Sequence, residues 1–157
     1  MHSALLPLSP GAARWSPGHR TILASGSMSK KAEPKSDRVK TKFLPIDIYN
    51  DKITLVWPLT PAKAKAWCKK WKIELDPMDE GDDAVTYRTE NGSVLMLSSW
   101  DTDIHHLSLL AHEAVHIASD ILRHKGVKEE EGTEEAMAYL VGLIIRTLLK
   151  ALTGLKQ

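Results

Sequence analysis

His112-Glu113-Ala114-Val115-His116 is the stretch of this chain whose residue types and spacing can do chemistry. Two histidines four apart on a helix lie one turn above each other on one face, so both imidazoles can reach a single metal ion. Glu113 follows the first histidine directly, where its carboxylate can lean over the open side of that metal and take the proton of a water. This is the HExxH arrangement of zinc hydrolases, in which imidazole nitrogens hold the ion and a carboxylate acts as general base. Two histidines on the polar face of an ordinary amphipathic helix would give the same five residues, so the surroundings have to decide.

The surroundings fit. Residues 103–123 read as one helix: Asp103 is a suitable N-cap, and Leu107, Leu110, Ala111, Ala114, Val115, Ala118, Ile121 and Leu122 recur at helical spacing before Gly126. Hydrolytic zinc sites usually take three protein ligands and leave the fourth position to water. A second helix is expected from Thr133 to about residue 152, with Glu135 in its first turn and Ala138 and Tyr139 on the same face. A small residue beside Glu135 would let that helix approach the motif helix, which makes Glu135 the expected third ligand. Glu134 is the rival, projecting about 100° away, and a first-turn acid favoured by the helix dipole is the plain alternative for either. Asp120 and His124 continue the histidine face, but each further turn moves about 5.4 Å along the axis. Asp120 is therefore read as a supporting polar group, and His105 and His106 as rim residues.

His112-Glu113-x-x-His116 followed by Glu135-x-x-Ala138 resembles the compact gluzincin metallopeptidases, or minigluzincins. The longer strings, Leu-Ala-His-Glu-Ala-Val-His and Glu-Ala-Met-Ala-Tyr-Leu-Val-Gly, are similar to small metallopeptidase-like proteins encoded by tailed bacteriophages. The resemblance covers about residues 43–150, with its diagnostic part in 109–142. It implies a zinc ion held by His112, His116 and Glu135, a catalytic Glu113, and a short sheet packed on the motif helix. The 157 residues depart from larger relatives in that no large second domain is expected among them to form a substrate cleft.

The rest of the chain bounds the reading. Its 157 residues suffice for one domain with one core, and a formal charge of +1 gives no general attraction to nucleic acid or anionic membranes. The lone Cys68 excludes an intrachain disulfide framework and fits a reducing compartment, so a cytoplasmic location is expected, the bacterial host's if the chain is phage-encoded. The longest uncharged apolar stretch of the second helix, 136–145, is ten residues, so no membrane span is expected. Residues 1–42 carry eight Lys/Arg against two acids and are rich in Ser, Pro and Gly, which reads as a disordered basic tail. Met28-Ser-Lys-Lys looks like a natural start, making 1–27 an over-extended opening.

Between tail and motif the pattern is β-rich. Strands are expected at 43–48 and 52–57 around a turn at Asn50-Asp51, a short helix from Thr60-Pro61 to Trp71 with Trp67 and Trp71 inward, and a hairpin of 84–89 and 93–98 around Asn91-Gly92. The expected fold is therefore α+β: a small, mostly antiparallel sheet, one short helix and two long ones, with residues 43–157 as a single domain. The expected function is hydrolysis of peptide bonds in a peptide or protein substrate. Tyr139 or a histidine near the motif is the candidate to stabilise the oxyanion, and strand 93–98 the candidate edge along which substrate lies. The alternative is a non-catalytic phage structural or host-interaction protein that uses the metal for stability.

Overall fold

The computed structural model describes residues 38–75, 78–128, 130 and 132–154. The expected tail at 1–37 lies outside them, and the first strand begins inside the remainder of that tail, at Lys40. Strands β1 (Lys40–Ile46) and β2 (Asp51–Trp57) flank a short 3₁₀ turn, and the short helix α1 (Pro61–Trp71) follows. Strands β3 (Ala84–Thr89) and β4 (Gly92–Leu97) form the hairpin, and the long helices α2 (Ile104–His124) and α3 (Glu134–Thr153) complete the order.

Local chemistry accounts for the ends of these elements. Thr60 caps α1 by accepting from Lys63 N at 3.3 Å, with Pro61 at the first helical position, where its missing N–H costs nothing. Asp103 caps α2 through His106 N at 2.8 Å. Thr133 precedes α3 as expected but does not cap it, because its hydroxyl donates to Glu130 O at 2.8 Å. Gly92 carries φ +116 in the hairpin turn, and a Cβ there would stand 2.3 Å from Lys52 O.

The sheet order is β1-β2-β4-β3, with antiparallel pairs at both ends and a parallel β2–β4 pair in the middle. Two of the three pairs are antiparallel, in line with the mostly antiparallel expectation, and the parallel β2–β4 pair makes the sheet mixed. It also moves the edge. β4 is buried along its whole length between two neighbours, so the expected substrate-side edge at 93–98 is a central strand, and β1 and β3 are the edges. Strands buried on both faces read as near-continuous apolar runs, as the Val94–Leu97 stretch does.

Alternation along the strands assigns the two faces. Ile53, Leu55, Trp57, Leu95, Leu97 and Ala84 pack with α2 and α3, while Val56, Val85, Val94 and Met96 pack with Ala64, Trp67 and Cys68 of α1. The result is three layers, with α2 over β3 and β4 and α3 reaching β1. Trp67 is buried as expected, but Trp71 stays on the surface, edge-on to Phe43 at 5.9 Å. Against the expectation of no membrane span, α3 is long and apolar enough by length and composition to cross one; 22% of its apolar window is buried, including Leu140, Ile144 and Leu148.

Gly92→Ala tests the hairpin geometry. It forces both a positive φ and a backbone overlap on a residue with a Cβ, so urea unfolding should show a loss of about 2–4 kcal/mol.

Candidate metal centre

On α2 the buried residues are Leu109, Leu110, Glu113, Ala114, Ile117, Ala118, Ile121 and Leu122. At about 100° per residue they span the half of the helix turned to the sheet and to α3. Glu113 lies near one margin of that arc, where Thr86 of the edge strand β3 meets it, and His112 and His116 fall just beyond the arc. Both histidines are half-buried, whereas Glu113 is only 1% exposed.

The imidazoles converge. His112 Nε2 and His116 Nε2 are 3.0 Å apart, with ring centroids 4.7 Å apart. Two nitrogens bound to one tetrahedral zinc at about 2.0–2.1 Å stand about 3.3 Å apart, so the pair needs to open by only a few tenths of an ångström to fit that ion. In the same geometry one ring can instead donate N–H to the other, and the pair needs both lone pairs free to hold a metal.

Glu113 is held from the sheet side. Thr86 Oγ1 on β3 donates to Glu113 Oε2 at 2.5 Å, while Glu113 Oε1 is buried with no hydrogen-bond partner among the described residues. Burial pushes the Glu113 carboxyl above the usual carboxylate range, against the opposing pull of the Thr86 bond and the nearby His112. A carboxyl with one oxygen tied and the other unsatisfied is chemically suited to accept a proton. The sequence reading missed Thr86, although its place in the hairpin puts it on the same sheet face as Ala84, the face that meets α2.

The other expected site residues are not gathered here. Glu135 is exposed, and Leu140, Ile144, Leu148 and Ala151 set the buried face of α3 about 180° from it. Ala138, Tyr139 and Gly142 share Glu135's face, where Tyr139 is 66% exposed and a Cβ on Gly142 would meet nothing within 4 Å. The side chains of α3 that enter the core are the larger aliphatics Leu140, Ile144 and Leu148, with Ala151, while Glu135 and Ala138 stand on the exposed side of the helix. Among the described residues no group of three His, Cys, Asp or Glu side chains converges on one point. Asp120 faces Arg123 at 3.8 Å, and His105 and His106 hydrogen-bond to Asp83 and Asp103 at the start of α2. The donor pair His112–His116 fits a zinc ion in type and spacing; Glu135 fits in type only. Cys68 is buried on the opposite side of the sheet, with its thiol pushed up by that burial.

No family model, curated protein or solved structure matches the chain.

Two outcomes follow from the buried carboxyl. Thr86→Val removes the donor while keeping the shape, so it should cost about 2 kcal/mol in urea unfolding, whereas Thr86→Ser should recover about half of that loss. The pH dependence has a fixed sign. Because the folded-state pKa of Glu113 is raised, the folded chain is favoured while the group stays protonated, and that contribution fades as pH rises through the folded pKa. In the presence of a chelator, Glu113→Gln should therefore match the wild-type Tm near pH 4 and exceed it increasingly toward neutral pH.

Proposed function

We propose that this chain is a zinc-dependent hydrolase of peptide bonds. The observation that carries the reading is the 3.0 Å approach of the two Nε2 atoms beside a buried, half-satisfied glutamate on the same helix. His112 and His116 would hold the ion, and Glu135 is the proposed third donor on its chemistry and its place in the helix after the motif. When bound, zinc supplies a Lewis acid for the scissile carbonyl and makes a water easier to deprotonate.

The chain's own residues supply the remaining steps. Glu113 accepts the water proton on Oε1, the oxygen that Thr86 leaves untied, and passes it to the departing amine. Thr86 keeps the other oxygen fixed, so the carboxyl meets substrate in one orientation. Tyr139 is not part of this proposal's machinery: it stands on the outer face of α3, so the oxyanion would need another donor.

A second reading is favoured by one specific observation. Glu113 is almost wholly buried and Glu135 faces outward, which suits a metal held for stability in a non-catalytic structural or interaction protein better than an open hydrolytic centre.

Metal binding and turnover separate the readings. Wild-type chain should bind about one zinc, and His112→Ala or His116→Ala should abolish stoichiometric binding. Glu113→Gln should keep the zinc while hydrolysis of a peptide library falls by at least ~10²-fold. Zinc that stays bound in the double histidine variant contradicts the site. Zinc bound without any wild-type hydrolysis supports the stabilising role.

A further inference from the structure

A second set of hydrogen-bonded side chains stands at the beginning of α2, apart from the histidine pair. Ser99 Oγ is 3.1 Å from His106 Nε2, and His106 Nδ1 is 2.9 Å from Asp103 Oδ1. A carboxylate at Nδ1 holds that nitrogen as the donor and leaves Nε2 as the acceptor that faces the serine hydroxyl. Nucleophile, base and orienting acid are therefore in sequence, an arrangement recognised by geometry and role and not by order along the chain.

Helix capping explains only part of this. Asp103 Oδ1 accepts from the backbone N–H of His106 at 2.8 Å, which satisfies the first turn without any imidazole or serine. The His106 ring is mostly enclosed and lies edge-on to Trp100 at 5.9 Å. The neighbouring His105 and Ser98 go to a different carboxylate, Asp83, at 3.3 Å each. Two adjacent His–Ser pairs are thus sorted onto separate acids, and only the Ser99 pair has the serine on the imidazole itself. The bonds from the His106 backbone and ring also hold the Asp103 carboxyl below the usual carboxylate range.

We propose that Ser99, His106 and Asp103 form a nucleophilic relay that accepts acyl groups from small esters. Ser99 Oγ bonds to the ester carbonyl carbon as its proton moves to His106 Nε2. The C–O bond to the leaving group then breaks, and the proton on Nε2 goes to the departing alkoxide to give the alcohol. Water attacks the acyl-serine, gives its proton to Nε2, and that proton returns to Ser99 Oγ as the carboxylic acid leaves. The sum is ester plus water to acid plus alcohol. Trp100 beside His106 gives the site an apolar wall, which favours a short aliphatic or aromatic acyl group. The relay is independent of the metal reading.

The test is acylation of the full-length chain by p-nitrophenyl acetate and labelling by a fluorophosphonate probe, both with a chelator present, with the adduct located by peptide mass mapping. The expected result is an adduct on Ser99, lost in Ser99→Ala and formed at least about tenfold more slowly in His106→Gln. Asp103→Asn is the informative variant, because asparagine caps a helix as well as aspartate but orients the imidazole in the wrong tautomer. It should keep the wild-type Tm and also label at least about tenfold more slowly. An unlabelled Ser99, labelling that the chelator abolishes, or Asp103→Asn reacting at the wild-type rate would each overturn the relay.

Discussion

The Glu113 carboxyl, set inside the contact between α2 and the edge strand β3, is the constraint on which the rest of the structure depends. A charged or polar group taken out of water is costly unless it is bonded, and Thr86 supplies the hydrogen bond that holds it. Turning Glu113 inward fixes the rotation of α2 about its axis. With that rotation fixed, the histidines one residue before and three residues after it have no choice but the flank of the helix beside β3. The chemistry of the pair and the packing of the helix are therefore one arrangement, and neither can be altered alone.

The same rotation divides the labour of α2. Ile117, Ile121 and Leu110 go to the sheet, whose α2-facing side chains are Leu95, Leu97 and Ala84. Ala114, Ala118 and Leu122 lie further round and share the same buried cluster as the core face of α3. α3 answers with Leu140, Ile144, Leu148 and Ala151, and Lys42 of β1 ties its end by donating to Ala151 O at 2.6 Å. The histidine pair is thus tied through its neighbour Glu113 to the edge strand β3.

Much of this was legible in the residues. Helix spans, the Asp103 and Thr60 caps, the Asn91-Gly92 hairpin and the α+β class all follow from local chemistry acting over a few positions. The same holds for the convergence of His112 and His116, which needs only a helix. What was not legible depends on partners distant in the chain. The parallel β2–β4 pair, and hence the identity of the edge strands, arises from a crossover that no local pattern encodes. The buried face of α3 is illegible for a different reason: between Glu135 and Arg146 the helix is apolar all round, so periodicity does not mark that the core takes Leu140 and Ile144. Thr86 and the Ser99 relay were hidden because hydroxyl residues in strands and loops carry no signal until a partner faces them.

The central claim is that the two imidazoles of α2 are the metal's donors. X-ray absorption at the zinc edge of the metal-loaded chain reads this directly, since imidazole rings leave a distinct outer-shell scattering pattern. The account predicts two imidazoles with Zn–N near about 2.0–2.1 Å and oxygen donors in the remaining positions. A spectrum without imidazole scattering, or one dominated by a sulfur donor from Cys68, would contradict it.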